Sequence, residues 1–129
     1  MAKILIVEDE PDIRDLVAFT LRYGGFEVVT ANNGAEAVDA SLAEMPDLVL
    51  MDVRMPVMTG FEACEKIKST PQTANIPVVF LSAKGQEAEI RQGFEIGALD
   101  YLLKPFDPLE LLQRVRDLVG NHHDPAGGI

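Results

Sequence analysis

Polar side chains that can do chemistry stand directly behind several short apolar runs of this sequence. In chain order they are Glu8, Asp9, Glu10, Asp52, Ser82 and Lys104. Carboxylates that are brought together repel one another, and a hard divalent cation such as Mg²⁺ relieves that repulsion. A carboxylate can also act as a covalent nucleophile and become an aspartyl phosphate. Phosphoryl transfer of this kind needs positioned charge and hydrogen-bond donors, which a lysine and a serine supply.

Each of these residues also has an ordinary structural explanation. Acids at 8–10 favour the N-terminus of a following helix, Ser82 can cap a turn, and Lys104 can be a solvated amine. Asp52 is harder to explain in this way, because no helix begins directly behind it in the sequence. The functional interpretation therefore depends on whether the fold brings the residues to one place.

Five short apolar runs predict strands that are buried in a sheet. They are "KILIV" at 3–7, "FEVVTA" at 26–31, "DLVLM" at 47–51, "VVFLS" at 78–82 and "LDYLL" at 99–103. Amphipathic segments between them predict helices. These are 11–23, a helix that Asn33-Gly34 opens and Pro46 ends, a helix capped by Thr59, 86–96, and a helix that begins at Asp107-Pro108. Leu16 and Leu42 are expected on the buried faces of the first two helices.

Strands that alternate with helices predict an α/β fold, with a doubly wound parallel sheet that helices cover on both faces. In such sheets, functional sites form just beyond the carboxyl ends of the strands. The polar residues named above follow those ends, so we expect them to meet at one edge. One domain over 1–120 accounts for all the elements, and 121–129 is predicted to be a flexible tail.

The composition argues against several classes of protein. The formal net charge of −10 opposes direct binding of nucleic acid, because phosphate contacts need a basic face. No apolar run approaches the ~20 residues that span a membrane. One cysteine among 129 residues cannot form an internal disulfide, which favours a cytoplasmic location.

Four segments, taken together, point to one protein family, although each alone would be a weak signal. They are "ILIVEDEPDIRDLV", "PDLVLMDVRMPVMTG", "IPVVFLSA" and "GALDYLLKPFDPLELL". They resemble the receiver domain of bacterial two-component response regulators over residues 3–119. The resemblance implies a flavodoxin-like, chemotaxis-regulator-like fold with strand order 2-1-3-4-5. It also implies a signalling switch that takes a phosphoryl group from a histidine kinase and loses it to water, rather than an enzyme for outside substrates.

The resemblance assigns the metal and phosphoryl sites residue by residue. Asp52 matches the phosphoacceptor. Glu8 and Asp9 match the acidic pair that, with Asp52 and the backbone carbonyl of Arg54, holds Mg²⁺ or Mn²⁺. A metal held in this way would lie beside the phosphoryl group.

Further positions match residues that respond to the phosphoryl group. Ser82 matches the hydroxyl that bonds it, and Lys104 the amine that pairs with it. Tyr101 matches the switch aromatic that turns inward when Ser82 moves, and the Lys104–Pro105 peptide is expected to be cis. The output is expected on the face formed by the fourth helix, fifth strand and fifth helix.

Two basic residues depart from the usual pattern. Arg54 and Lys84 each lie two residues past a site residue, where the family tunes dephosphorylation. They could point to solvent, but our hypothesis is that they shield the phosphoryl group from water.

The expected partners are a sensor histidine kinase or a phosphotransfer protein. A homodimer through the fourth helix, fifth strand and fifth helix is also possible, because Asp100, Glu110 and Arg114 match the dimer contact of transcription-factor receivers. Ile90 stands where that subclass has a basic residue, which argues against the dimer.

Other classes of protein remain as alternatives. A flavodoxin-like FMN carrier needs a phosphate-binding first loop, and "EDEP" is acidic there. A haloacid-dehalogenase-like phosphatase needs an acid two residues past its nucleophile, and Arg54 cannot serve as one. A receiver that is no longer phosphorylated is disfavoured, because every matched site residue is present.

Overall fold

The computed structural model describes residues 2–83, 87–104 and 106–123, the last three of them by their backbone alone. Strands and helices alternate along these ranges, as the sequence predicts. In chain order they are β1 (Lys3–Val7), α1 (Pro11–Tyr23), β2 (Glu27–Ala31), α2 (Gly34–Glu44), β3 (Leu48–Asp52), α3 (Gly60–Ser69), β4 (Val78–Ser82), α4 (Glu87–Ile96), β5 (Asp100–Leu103) and α5 (Pro108–His123).

The strands form one parallel sheet in the order β2-β1-β3-β4-β5. This confirms the predicted fold class and the strand order that the family resemblance implies. In the pairing register, Asp52 at the end of β3 lies opposite Leu81, and Ser82 lies opposite Leu103 at the end of β5. Because the strands are parallel, their carboxyl ends share one edge of the sheet.

Alternate residues of the central strands point into two cores, one on each face of the sheet. On one face, Val49 and Phe80 pack in the core that includes side chains of α2 and α3. On the other face, Leu50 and Leu81 pack in the core that includes side chains of α1 and α5. Every residue of β3 and β4 is buried, so the polar residues that end these strands are held by a packed frame.

The start of α3 is fitted closely to the end of β3. Thr59 caps the helix as predicted, since its hydroxyl accepts a hydrogen bond from the Glu62 amide at 3.2 Å. The Glu62 carboxylate in turn accepts one from the Thr59 amide at 3.0 Å, which completes a capping box. A Cβ atom at Gly60 would lie 2.2 Å from the Asp52 carbonyl oxygen, so this approach requires glycine.

Several boundaries and faces differ from the prediction. α5 runs to His123, past the predicted start of the tail at 121, and 124–129 lie outside the described residues. A single exposed glycine, here Gly120, weakens a helix by about 1 kcal/mol without ending it. Leu16 and Leu42 are exposed rather than buried, whereas the neighbouring Val17 and Ser41 are buried.

Candidate functional site

Side chains from four strand ends converge at the carboxyl edge of the sheet. Glu8 follows β1, Asp52 ends β3, Ser82 ends β4 and Lys104 follows β5. The strand pairing brings these ends together, although the residues are separated by up to 96 positions in the chain. The predicted convergence is therefore present in the folded chain.

Glu8, Asp9 and Asp52, which we call the acidic cluster, could hold a metal ion. One carboxylate oxygen from each lies within 4.8 Å of the others. Glu8 and Asp52 are buried, and Asp9 is partly exposed and leaves the cluster open to solvent on its side. A set of oxygen donors with this charge suits a hard divalent cation rather than a softer metal.

Lys104 crosses the site and pairs with two members of the acidic cluster. Its Nζ lies 2.7 Å from Glu8 Oε1 and 3.4 Å from Asp52 Oδ2. Burial raises the pKa of Glu8 to about 7, and the charge of Asp52 adds to this rise, while Lys104 opposes it. Burial works against the charge of Lys104, yet its carboxylate neighbours keep its pKa above the ordinary value. Lys104 thus pairs with two of the three carboxylates of the acidic cluster, so a further cation could be bound there by charge.

A second group of side chains, the Glu89 cluster, lies on the α4 side of the site. The Ser82 hydroxyl donates to Glu89 Oε1 at 2.9 Å, and the Tyr101 hydroxyl donates to the same oxygen. The Arg54 guanidinium donates to Glu89 Oε2 at 3.4 Å. Burial tends to raise the pKa of Glu89, but the hydrogen bonds from Tyr101 and Ser82 and the pairing with Arg54 outweigh it and lower the pKa.

Sequence reasoning missed Glu89, since an acid on an amphipathic helix is usually solvated. One signal could have found it. Glu89 lies in the first turn of α4, which follows β4, and first turns of such helices lie at the carboxyl edge of the sheet. An acid in that turn is therefore a candidate partner for the strand-end hydroxyl of Ser82.

The structure describes some of the remaining predicted residues and not others. Tyr101 is already buried, with its ring centroid 6.2 Å from that of Phe80. The Arg54 side chain is 64% exposed and pairs with Glu89. Lys84 and Pro105 lie outside the described residues, so the predicted basic flank and the cis peptide stay predictions. The Arg54 carbonyl also remains only a predicted metal ligand.

A mainly apolar cleft of about 360 Å³ opens beside Lys104, on the opposite side of the site from α4. Its lining comes from the start of α1 and from the segments after β4 and β5, and consists of Ile13, Leu16, Ala83, Lys104 and Phe106. The cleft explains why Leu16 is left uncovered.

A family model described as the response regulator receiver domain matches residues 4–116. The chain belongs to this family. Receiver domains are the switches of two-component signalling.

Among the described residues, no helix has both the length and the apolar character needed to cross a bilayer.

Known regulators are similar to this receiver domain over part of their length. It is 42% identical over 119 residues to the DNA-binding dual master transcriptional regulator RpaA of Synechocystis. The aligned residues cover 92% of this chain and 49% of that protein. It is 41% identical over 114 residues to the phosphate regulon transcriptional regulatory protein PhoB of Escherichia coli, covering 88% and 50%. The chain spans about half the length of the curated relatives it matches.

Solved structures resemble the receiver domain over nearly its whole length. Chemotaxis protein CheY4 of Vibrio cholerae aligns with a TM-score of 0.86 and 37% identity, covering 91% of this chain and 98% of that one. The receiver domain of sensor histidine kinase PA1611 from Pseudomonas aeruginosa aligns with a TM-score of 0.85 and 30% identity, covering 92% and 98%. That structure has a magnesium ion coordinated in its active site cleft.

Proposed function

We propose that this receiver domain accepts a phosphoryl group on Asp52 from a phosphohistidine of a sensor histidine kinase or a phosphotransfer protein. The observation that carries the proposal is the position of Asp52. It is buried at the end of a central strand, within the acidic cluster, and 3.4 Å from the Lys104 ammonium. A carboxylate that only capped a helix would not need a neighbouring ammonium group and two neighbouring acids.

The transfer would proceed by in-line attack on phosphorus. A carboxylate oxygen of Asp52 forms the new P–O bond, the P–N bond to the donor imidazole breaks, and its electron pair stays on the imidazole nitrogen. Lys104 pairs with a phosphoryl oxygen, and the Ser82 hydroxyl donates a hydrogen bond to another. Such preorganised donors and charges stabilise the transferring group.

Glu8, Asp9, Asp52 and the Arg54 carbonyl would hold Mg²⁺ or Mn²⁺ next to Asp52. A bound divalent ion neutralises charge on the phosphoryl oxygens. The acidic cluster supports this assignment, since it brings three carboxylates together and Lys104 pairs with only two of them. Water attack on phosphorus would later return Asp52 to its free form, with Arg54 and Lys84 affecting the rate.

The partners follow from the same chemistry. The apolar cleft beside Lys104 supports approach of a protein donor, since apolar surface next to a reactive site favours docking. The switched output face would be α4, β5 and α5. A homodimer through that face would have to accommodate an existing ion pair, because Arg114 already contacts Asp100 at 2.6 Å within the chain. The net charge of −10 argues against direct nucleic-acid binding by the receiver domain itself.

Labelling by acetyl phosphate tests the proposal without a cognate kinase. We expect the wild-type chain to gain one phosphoryl group in the presence of Mg²⁺, and to gain none in EDTA or as Asp52→Asn. Asp47→Asn is the matched control, because Asp47 lies before the start of β3, at the opposite edge of the sheet, and accepts a hydrogen bond from the Lys3 amide. Equal labelling of wild type and Asp52→Asn would overturn the assignment.

A further inference from the structure

The Glu89 carboxylate gathers donors from three other elements of the site. Ser82 at the end of β4 and Tyr101 in β5 both donate to Oε1, and Arg54 after β3 donates to Oε2. The Glu89 side chain is only 10% exposed. A carboxylate with this little access to water depends on these donors for its hydrogen bonds.

Glu89 and a phosphoryl group on Asp52 would compete for the same hydroxyl proton of Ser82. A serine or tyrosine hydroxyl carries a single donor proton, whereas an arginine guanidinium carries five. The Ser82 hydroxyl donates to Glu89 and is also a hydrogen-bond neighbour of the Tyr101 hydroxyl, so its one proton is engaged within the Glu89 cluster. Ser82 can therefore donate to a phosphoryl oxygen on Asp52 only if its hydrogen bond to Glu89 breaks. The Arg54 guanidinium has enough donor protons to bind Glu89 and a phosphoryl oxygen at the same time.

We propose that Glu89 is a positioning residue that holds the Ser82 and Tyr101 hydroxyls on α4 and competes with the phosphoryl group for the Ser82 proton. This inference rests on the proposed phosphoacceptor function of Asp52. Its consequence is that phosphorylation removes a hydrogen bond from a nearly buried carboxylate. The first turn of α4 then loses a contact to β4, which links the chemistry to the proposed output face.

The packing of α4 makes this link effective. Of the ten residues of α4, all of which the structure describes, only Gly93 is buried. A Cβ atom at Gly93 would lie 3.2 Å from the Phe80 ring and 3.4 Å from the Tyr101 ring, so the helix approaches the sheet closely at this point. Ile90 and Ile96 are only partly buried against the core, so the hydrogen bonds of Glu89 add to a small apolar contact in holding α4 in place.

A purely structural role for Glu89 makes a different prediction. Acids in the first turn of a helix stabilise it through the helix dipole, and Glu87 stands in the same turn. The Glu87 side chain is 88% exposed and pairs with Arg91. Glu87→Gln is therefore the matched control, because it removes the same charge from the same turn without touching the hydroxyls.

The experiment measures the steady-state fraction of labelled Asp52 with acetyl phosphate and Mg²⁺ in the full chain. We expect Glu89→Gln to raise the ratio of labelled to unlabelled protein about tenfold, since a hydrogen bond to a charged group is weakened. We expect Glu87→Gln to stay within about twofold of wild type. In a Ser82→Ala background the effect of Glu89→Gln should also fall below about twofold, because the hydroxyl that both groups compete for is gone.

The outcomes separate this inference from the function on which it rests. If wild type is labelled on Asp52 but Glu89→Gln matches it, the positioning role is wrong and the phosphoacceptor role stands. An equal gain with and without the Ser82 hydroxyl would also contradict the inference, since it would point to charge alone. If no variant is labelled, both the function and the inference are wrong. Circular dichroism of each variant confirms that the fold is kept, and Glu89→Ala provides a second test.

Discussion

The two halves of the site, the acidic cluster with Lys104 and the Glu89 cluster, differ in how firmly the fold holds them. The acidic cluster and Lys104 are attached to β1, β3 and β5, and Asp52 belongs to a strand that is buried along its whole length. The Glu89 cluster depends on α4, which buries only one of its ten described residues. The proposed chemistry thus rests on a packed frame, and the proposed response rests on a weakly held helix. Movement of α4 can therefore leave the acidic cluster and Lys104 in place.

Hydrogen exchange tests this difference and should give the largest effect. α3 and α4 have ten residues each, but α3 buries Ala63, Cys64 and Ile67 against the sheet. We expect the amides of α4 to exchange about a thousandfold faster than those of α3, which corresponds to an opening free energy about 4 kcal/mol lower. Equally slow exchange in the two helices would contradict the account of α4 as the weakly held element.

Replacing Lys104 with alanine tests the half that we assign to chemistry. The substitution leaves Glu8 and Asp52 without their shared ammonium. We expect the rate of labelling by acetyl phosphate to fall about a hundredfold, the usual effect of removing one preorganised charge or donor. Lys3→Ala serves as the control, because Lys3 pairs with Glu44 at the opposite edge of the sheet. A similar loss in both variants would show that the effect is not specific to the site.

A substitution at Gly60 tests how tightly the frame holds Asp52. The added Cβ atom would lie 2.2 Å from the Asp52 carbonyl oxygen, so we expect Gly60→Ala to destabilise the fold by about 3 kcal/mol. Gly120→Ala has no heavy atom within 4 Å of its new Cβ and should instead stabilise α5 by about 0.5–1 kcal/mol. Urea denaturation measures both. A Gly60→Ala variant as stable as wild type would contradict the close fit of α3 to β3.

The loop after Asp52 gives the smallest expected effect. Val57 has a φ angle of 72° and is 84% exposed, so a β-branched residue occupies the left-handed region without packing in return. We expect Val57→Gly to stabilise the protein by about 1 kcal/mol, measured by urea denaturation. The labelling rate should stay unchanged, since Val57 contacts neither half of the site in the described contacts. Slower labelling would mean that the strained loop contributes to positioning Asp52.

The sequence predicted the strands and the residues at their ends better than it predicted the contacts of α4. Short apolar runs and caps such as Thr59 are local signals, and they located the strands and the residues that end them. The strand order came from the family resemblance, because pairing between distant strands has no local signal. The contacts of Glu89 were missed, since they depend on how α4 lies across β4 and β5. Leu16 was misassigned because the cleft beside it forms only in the folded chain.

The most direct test of the central claim is to identify the residue that carries the phosphoryl group. Borohydride reduces an acyl phosphate to an alcohol, so a phosphorylated aspartate is recovered as homoserine in a peptide map. After acetyl phosphate and Mg²⁺, we predict homoserine at position 52 alone, and none in the Asp52→Asn variant. Homoserine at position 9, or a stable phosphate on Ser82 with an unmodified Asp52, would contradict the account.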